Sequence, residues 1–313
     1  MWINSNTKNK ENSVKRDVHM KWTTFLPVLN EANIIEARIK NALEIGNVVV
    51  VEGSIPSFPN ENGLSIDGTS EILKSYSDKI LYIQAGAQKD RIALQNIGIA
   101  ALHKRFPETD ILARTDADEF FNRATIEAVE ERFTKSQDWV TYITMFDMVS
   151  KTKAKLRTQP PEKYFAFAPG IRICGGMFPE RFYRYRPDLH YQYHDSIMAD
   201  GMGIPLFWHP NYYFNRSIMG MELPNGLIHY RCSDSFVSLI KKEINYLAKD
   251  APIEERIFNA AKGKLFYEFT NGTIIDFKEE WHPKEIRESP YFNQIDFTPN
   301  WDITYLEFLE AII

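Results

Sequence analysis

Residues 110–121 read Asp-Ile-Leu-Ala-Arg-Thr-Asp-Ala-Asp-Glu-Phe-Phe and carry the most informative pattern in the chain. The apolar run 111–113 predicts a short buried strand that leads into Asp116, Asp118 and Glu119. Residues two apart in an extended backbone point to the same side, so Asp116 and Asp118 are expected to direct two carboxylates at one point. Two such groups repel each other unless a proton or a cation lies between them, and oxygen ligands suit Mg²⁺ or Mn²⁺.

An Asp-x-Asp pair has other uses, because carboxylates are common in loops and helix caps. A calcium loop of the EF-hand type is excluded, since its fifth and sixth positions require Asp or Asn and then Gly. Phe120 and Phe121 occupy those positions here. The case for a metal site therefore depends on the segments that precede this one.

Composition places the chain among soluble globular proteins. It has 313 residues, of which 44% are apolar and 25% charged, which is enough for one large domain or two small ones. The net charge of -5 gives no reason to expect nucleic acid as a partner. Two cysteines, Cys174 and Cys232, are too few for a disulfide framework or a zinc site. No apolar run reaches the roughly 18 residues of a membrane span, so we expect no transmembrane segment and a cytoplasmic location.

The first 121 residues alternate between strand and helix patterns. Residues 1–20 are polar and predict a flexible tail. The ranges 22–29, 47–51, 79–84 and 111–113 are predicted strands, and 32–43, 71–75 and 90–103 are predicted helices. This alternation is typical of a doubly wound α/β fold, in which polar residues at the ends of strands bind nucleotides.

The remainder of the chain has a less regular pattern. Strands are predicted at 139–149 and 227–231, helices at 233–249, 252–269 and 303–312, and a polar, at most helical segment at 281–290. We therefore divide the chain into a tail at 1–20, a nucleotide-sugar-binding half at 21–121, an acceptor-binding and catalytic half at 122–234, and a C-terminal helical region at 235–313.

Four short motifs occur in a characteristic order. They are Asn30-Glu31, Asp67-Gly68-Thr69, Arg91 with Asn96, and Asp116-Ala117-Asp118-Glu119-Phe120. Together they resemble family 2 glycosyltransferases of the GT-A fold over roughly residues 22–121, and more weakly over 179–195. The resemblance implies an α/β, Rossmann-like nucleotide-diphospho-sugar transferase fold with a central mixed sheet and a C-terminal helical extension.

The resemblance also implies an activity. Members of the family transfer a sugar, most often from a UDP-sugar and with inversion, to an acceptor hydroxyl, and a bound Mn²⁺ or Mg²⁺ assists. The acceptor here is expected to be a glycan, a lipid-linked molecule or a protein. A divalent cation and nearby arginines stabilise the negative charge of the departing diphosphate, and a carboxylate base activates the acceptor hydroxyl.

The same resemblance assigns residues on the donor side. Glu31 and Glu52 are expected beside the nucleoside, and Arg91 is expected near the diphosphate or the base. Asp67 belongs to this set, although the insertion at 55–65 separates it further from Glu52 than in relatives. Asp116 and Asp118 are expected to hold the ribose and the metal.

On the acceptor side, several residues have a functional and a structural interpretation. Asp195 is the expected catalytic base, with Glu180 as the alternative, and His194 either lines the site or is structural. His229 is either a late metal ligand or a hydrogen-bonded histidine on a half-buried strand. Trp208, with His209, Tyr212 and Tyr213, is either an acceptor platform or core. Arg181, Arg184 and Arg186 alternate along a strand and face either phosphate or solvent.

Other functions compete with this assignment. The Asp-Gly-Thr-Ser segment at 67–70 is similar to that of haloacid-dehalogenase-type phosphatases, but these require a nucleophilic Asp where Ser65 stands. A nucleotidyltransferase ranks second, since it is expected to carry a glycine-rich basic loop after the first strand, which 27–33 does not contain. A non-catalytic nucleotide-sugar-binding protein of the same fold is the third interpretation.

Overall fold

The computed structural model describes residues 20–56, 58–135, 140–142, 145–157, 164–168, 171–174, 180–193, 196–199, 213–214, 227–230 and 273–295. The helices in these ranges are α1 (Ile35–Leu43), α2 (Thr69–Ser75), α3 (Arg91–Arg105), α4 (Arg123–Lys135) and α5 (Lys284–Arg287). The strands are β1 (Trp22–Val28), β2 (Gly46–Glu52), β3 (Leu81–Gln84), β4 (Ile111–Arg114), β5 (Glu119–Phe121), β6 (Val140–Tyr142), β7 (Met145–Ser150), β8 (Lys153–Arg157), β9 (Tyr164–Ala168), β10 (Ile171–Cys174), β11 (Glu180–Arg184), β12 (Leu189–Tyr193), β13 (Ser196–Ala199), β14 (Tyr213–Phe214), β15 (Leu227–His229) and β16 (Thr273–Asp276).

A seven-stranded mixed sheet forms the centre of the described structure, in the order β14-β6-β11-β4-β1-β2-β3. Strand β1 pairs in parallel with β2 and β4, and β2 pairs in parallel with β3. Strand β11 is antiparallel to both β4 and β6. The predicted α/β class with a central mixed sheet is confirmed, as are the four predicted strands and three predicted helices of the first half.

The parallel strands are apolar because helices cover both of their faces. Phe25 of β1 packs on the α3 side with Leu94 and Leu112, whereas Leu26 packs on the α1 side with Ile39. Asp90 is the N-cap of α3, and its carboxylate accepts a hydrogen bond from the Ala93 N–H at 2.7 Å. Such an N-cap satisfies a donor that the helix itself leaves unpaired.

A second sheet has the order β16-β8-β7-β15-β5. Because β4 belongs to the first sheet and β5 to the second, the chain passes from one sheet to the other through residues 115–118. The prediction of a single strand at 139–149 is wrong, because these residues also divide between the two sheets. Its residues form β6, which pairs with β11, and β7, which pairs with β8 and β15, so they contribute to both sheets.

The C-terminal part that the structure describes packs against the second sheet. Phe277, Ile286 and Phe292 are buried with Phe146 and Ile228 in one apolar cluster. The segment 281–290, predicted to be at most helical, contains the short α5, and a 3-10 turn at Glu279–Trp281 precedes it. The helices predicted at 233–249, 252–269 and 303–312 lie outside the described residues, as do residues 1–19 of the predicted tail. In the described ranges, no helix combines the length and apolarity needed to cross a membrane.

Gly98 provides a test of how closely α3 packs on β1. A Cβ atom built on Gly98 would lie 2.2 Å from Cε2 of the buried Phe25 ring. Helix propensity favours Ala over Gly by about 1 kcal/mol, but overpacking of a core costs about 1–3 kcal/mol. We expect Gly98→Ala to lower the free energy of unfolding by about 1 kcal/mol in urea titration. Phe25→Leu in the same chain should reduce that penalty. A gain in stability from Gly98→Ala alone would contradict this packing.

Candidate functional site

The candidate site lies at the carboxyl ends of the parallel strands, where open α/β sheets bind ligands. The Thr115 N–H donates to the Phe25 carbonyl at 3.2 Å and so extends the pairing of β4 with β1 by one residue. Asp116 follows directly and Asp118 comes just before β5. Arg91, the first residue of α3, lies close enough to contact Asp116. Strand pairing therefore brings the predicted donor-side residues to one edge of the sheet.

Three guanidinium groups surround the carboxylate of Asp116. Nη2 of Arg91 is 3.3 Å from Oδ1, Nη2 of Arg114 is 3.9 Å from Oδ1, and Nη2 of Arg181 is 3.7 Å from Oδ2. Burial acts to raise the pKa of Asp116, but Arg114, Arg91, Arg181 and His229 together hold that pKa well below its ordinary value. The carboxylate is therefore ionised at neutral pH, with 35% of its side-chain surface exposed.

Glu119 fixes the loop that carries both aspartates. Its buried carboxylate accepts hydrogen bonds from Nε and Nη2 of Arg181 at 2.6 and 2.5 Å. It also accepts the backbone N–H of Asp116 at 2.9 Å. A two-point contact of this kind is geometrically specific and charge-assisted, so the backbone at Asp116 and the Arg181 side chain have defined positions relative to each other.

Asp118 contacts a histidine from a distant part of the chain. Oδ2 of Asp118 lies 3.3 Å from Nε2 of His229, and Nδ1 of that ring lies 2.7 Å from Oδ1 of Asp147. Burial acts to lower the pKa of His229, but Asp118 and Asp147 more than compensate and raise it to about 9. The ring is buried with a carboxylate at each nitrogen, so the interpretation of His229 as a hydrogen-bonded histidine is observed, and its role as a metal ligand stays a prediction.

The separation of Asp118 and His229 is suitable for a shared cation. Two ligands about 2.1 Å from one ion and at right angles to each other are about 3 Å apart. Asp118 Oδ2 and His229 Nε2 are 3.3 Å apart. Within the described ranges, no group of three or more His, Cys, Asp or Glu residues is arranged to hold a metal. Mg²⁺ in phosphate-transfer enzymes often has only one or two protein ligands, and substrate phosphates and water complete its coordination. Asp118 and His229 would form a site of this kind.

The two carboxylates of the Asp-Ala-Asp segment thus have different surroundings. Asp116 contacts arginines, whereas Asp118 contacts an imidazole. Of the three residues predicted as metal ligands, Asp118 and His229 are in direct contact. Arg181, expected to face either phosphate or solvent, does not face solvent: it is buried, and its guanidinium contacts Glu119 and Asp116.

Glu52, one of the predicted nucleoside-binding acids, holds the inserted loop in place. Glu52 is fully buried, and its carboxylate accepts hydrogen bonds from the Ser65 N–H at 3.0 Å, the Ser70 hydroxyl at 2.6 Å and the Tyr82 hydroxyl. Burial acts to raise the pKa of Glu52, but its hydrogen bonds with Ser65, Ser70 and Tyr82 lower it below the ordinary value. Because Glu52 has no exposed surface in this structure, direct contact with a base would require the loop to move.

Asp67 and Glu31 connect the starts of two helices. The Asp67 carboxylate accepts hydrogen bonds from the N–H and hydroxyl of Thr69 and from the Ala32 N–H, at 3.0, 2.6 and 3.0 Å. The Glu31 N–H donates to the Thr69 hydroxyl at 2.8 Å. Gly68, between Asp67 and Thr69, has φ of 99°, a conformation that glycine adopts without strain. These contacts place the loop beside the ends of β1 and β2.

The acceptor-side predictions lie largely beyond what the structure describes. Glu180 occupies the first position of β11, opposite Tyr142, and its side chain lies outside the described part. His194, Asp195 and Trp208 also lie outside the described residues, together with His209 and Tyr212. Arg184 donates to the Phe133 carbonyl at 2.7 Å, and Arg186 pairs with Asp188 at 2.6 Å.

Two residues of the site did not stand out in the sequence. Arg114 ends an apolar strand, and Asp147 lies among Met145, Phe146 and Met148 in another. A charge in an otherwise apolar strand is costly to bury unless it is paired. A charged residue within an otherwise apolar strand is therefore the sequence signal that could have identified both Arg114 and Asp147, although it does not reveal their partners.

Comparison with known proteins finds likeness only at the level of structure. No protein-family model matches the sequence, and no match was found among curated proteins. A structure of S. aureus TarS residues 1–349 aligns with a TM-score of 0.40 and 14% identity, over 77% of this chain and 70% of that one. A second S. aureus TarS structure aligns with a TM-score of 0.40 and 15% identity, over 81% of this chain and 44% of that one.

A third similar structure is 4-diphosphocytidyl-2C-methyl-D-erythritol synthase. It aligns with a TM-score of 0.30 and 11% identity, over 53% of this chain and 75% of the other. All three TM-scores are below 0.5, so the geometry of the site carries the functional argument.

The contact between Glu119 and Arg181 predicts a large effect on stability. Removing one member of a buried ion pair typically costs about 3–5 kcal/mol, so we expect Glu119→Ala to lower the free energy of unfolding by that amount in urea titration. The matched control is Glu127→Ala, which removes an exposed pair with Arg123 at 2.9 Å and should cost less than about 1 kcal/mol. Equal effects of the two substitutions would contradict the structural role of Glu119.

Proposed function

We propose that the chain is a metal-dependent glycosyltransferase, which transfers a sugar from a nucleotide-diphosphate donor, UDP-sugar in the first instance, to an acceptor hydroxyl with inversion. The observation that carries this proposal is the contact between Asp118 and His229 at the carboxyl ends of the parallel strands, 3.3 Å apart. Their separation suits a divalent cation with few protein ligands. The arginines around Asp116 provide positive charge at the same edge.

Asp118 and His229 are the residues that would hold Mn²⁺ or Mg²⁺. A carboxylate oxygen and an imidazole nitrogen form a mixed ligand pair that Mn²⁺ accepts, and oxygen-rich coordination suits both ions. When bound, the cation supplies electrostatic stabilisation of the negative charge that develops on the departing diphosphate. Because Asp147 occupies the other ring nitrogen, His229 would bind the ion through Nε2, and binding would release the hydrogen that this nitrogen carries beside Asp118.

Asp116 is proposed to accept a hydrogen bond from a ribose hydroxyl. Its pKa is held low by the surrounding arginines, so it acts as an acceptor throughout the physiological range. Glu119 binds the Asp116 backbone N–H and keeps the loop in place. A sugar ring positioned by such a carboxylate has less freedom to lose during reaction, which is how orientation accelerates a chemical step.

Arg91 is the arginine best placed to reach a diphosphate. Its side chain is 32% exposed, whereas those of Arg114 and Arg181 are 2% and 10% exposed. Arg91 thus borders the open side of the site, while the two buried arginines mainly balance the charges of Asp116 and Glu119. A guanidinium matches phosphate geometry and contributes to stabilising a leaving diphosphate.

The acceptor hydroxyl requires a base, for which we retain Asp195, with Glu180 as the alternative. A carboxylate within hydrogen-bond reach of the hydroxyl removes its proton as the new glycosidic bond forms, which contributes about 100-fold or more to the rate. Inversion follows when the hydroxyl attacks the anomeric carbon on the face opposite the diphosphate. Glu31 and Asp67, which lie beside the ends of β1 and β2, are proposed to border the nucleoside, whereas the buried Glu52 is proposed to act indirectly by holding the Ser65 N–H.

The direct test of the proposal measures cleavage of the nucleotide-sugar donor. Protein with Mn²⁺ is incubated with UDP-, GDP-, CDP- and ADP-sugars, and release of the nucleoside diphosphate is measured. We expect turnover of one donor class, abolished by EDTA and reduced at least about 100-fold in Asp118→Ala and His229→Ala, since even residues that only support a metal ligand contribute 10- to 100-fold. Glu127→Ala is the folded control with unchanged turnover.

Four results would contradict the proposal. Turnover that persists in EDTA would exclude the metal, and full activity of Asp118→Ala would exclude the proposed ligand. Release of pyrophosphate from a nucleoside triphosphate and a sugar phosphate would instead favour a nucleotidyltransferase. Binding of a nucleotide sugar without turnover in the presence of varied acceptors would favour a non-catalytic binding protein.

Metal and nucleotide are expected to stabilise the fold together. A ligand that binds only the folded state adds about 2.7 kcal/mol at a hundredfold excess over its Kd. We expect UDP with Mn²⁺ to raise the Tm in a thermal-shift assay more than the sum of their separate effects, because the diphosphate completes the coordination of the ion. Asp118→Asn should remove this synergy, and it should also lower the Tm without ligand, because the buried His229 loses the charge of one of its two partners. Equal synergy in the variant would contradict a shared site.

A further inference from the structure

Asp147 of β7 contacts His229 on the side opposite Asp118. Its Oδ1 lies 2.7 Å from Nδ1 of the ring, while Nε2 lies 3.3 Å from Oδ2 of Asp118. Asp147 is 2% exposed and His229 is 7% exposed. The imidazole is thus held between two carboxylates, and each carboxylate contacts a different ring nitrogen.

Strand pairing, rather than a chance side-chain rotation, creates this arrangement. In the second sheet, β15 lies between β7 and β5, with His229 opposite Asp147 on one side and opposite Glu119 on the other. Side chains of residues that are directly paired across strands point to the same face of the sheet. The Tyr230 N–H donates to the Asp118 carbonyl at 2.9 Å and holds the loop against β15.

The apolar surroundings of Asp147 indicate that its charge has a role other than packing. Its strand neighbours Met145, Phe146 and Met148 are all buried and apolar. A buried carboxylate carries a desolvation cost that an apolar side chain of similar size avoids, and pairing offsets that cost. The hydrogen bond with Nδ1 of His229 provides such a pairing.

We propose that Asp147 is a positioning residue for the cation site: it accepts the Nδ1 hydrogen of His229 and thereby presents Nε2 to the ion beside Asp118. This inference rests on the proposed function. A carboxylate on the far nitrogen of a histidine ligand fixes the ring orientation and tautomer and makes the other nitrogen a better donor to metal. Asp147 therefore acts through His229 and does not itself touch the ion.

The experiment measures Mn²⁺ affinity directly. Free Mn²⁺ is followed by electron paramagnetic resonance, with UDP present, for the wild type, Asp147→Asn and Asp147→Ala. Asn keeps the size and one acceptor oxygen but loses the charge, whereas Ala loses the acceptor altogether. We expect the apparent Kd for Mn²⁺ to rise about 10-fold in Asp147→Asn and toward 100-fold in Asp147→Ala, the range found for residues that support metal ligands.

A second readout reports on the ring itself. In complexes with Mg²⁺ and UDP, the ¹⁵N chemical shifts of the His229 side chain should indicate a hydrogen on Nδ1 in the wild type and a changed pattern in Asp147→Ala. Tyr291→Phe is the control for loss of a buried hydrogen bond, because the Tyr291 hydroxyl donates to the Tyr230 carbonyl at 3.3 Å in the same part of the structure. It should lower the Tm while leaving the Kd for Mn²⁺ and the His229 shifts unchanged.

The outcomes separate this inference from the function on which it rests. If the wild type binds Mn²⁺ but both folded Asp147 variants bind it within about threefold of the wild type, below the expected range, Asp147 has no positioning role. Should Asp147→Ala fail to fold, Asp147→Asn alone decides the question. If the wild type binds no Mn²⁺ with UDP, GDP, CDP or ADP, the proposed cation site is itself overturned.

Discussion

The buried contact between Glu119 and Arg181 joins the two main sheets at the point where the chain crosses between them. Glu119 is the first residue of β5 in the second sheet, and Arg181 lies on β11 in the first. Two hydrogen bonds of 2.6 and 2.5 Å link the side chains, and Glu119 also binds the backbone N–H of Asp116. Backbone hydrogen bonds from Thr115 to Phe25 and from Tyr230 to Asp118 hold the two ends of the loop, and the Glu119–Arg181 contact fixes the sheets relative to each other between them.

Each aspartate acquires its surroundings from a different sheet. Asp116 follows β4 and meets arginines from α3, β4 and β11, all of which belong to the first sheet or pack on it. Asp118 precedes β5 and meets His229 of β15, in the second sheet. The loop that crosses between the sheets thus places two acids, only two residues apart, in different surroundings: Asp116 among arginines and Asp118 beside a histidine. This division is the physical basis for assigning ribose to one and a cation to the other.

The first half of the fold was predictable because its signals are local. The continuous apolar run at 47–51 indicates a strand covered on both faces, and the structure has β2 at Gly46–Glu52. The carboxylates at 116 and 118 were predicted at a strand end, where they lie. Helix α4 was not predicted, although Ile126, Val129 and Phe133 recur at helical spacing and are buried.

The contacts within the site could not be read from the sequence, since they join distant residues. Glu119 and Arg181 are 62 positions apart, and Asp147 and His229 are 82 apart. Sequence pattern shows which residues are unusual in their strand, but strand order decides which of them meet. The position of Glu52 at the end of β2 was predictable from the local strand pattern. Its burial was not, because it depends on how the chain after β2 folds over the carboxylate.

Asp118 and His229 are proposed to bind together a divalent cation that carries a nucleotide diphosphate. Anomalous X-ray scattering from a crystal grown with Mn²⁺ and UDP tests it most directly. We predict one manganese peak within about 2.3 Å of both Asp118 Oδ2 and His229 Nε2, with diphosphate oxygens among the remaining ligands. A manganese bound elsewhere, or bound diphosphate with His229 still directed only at the two carboxylates, would contradict it.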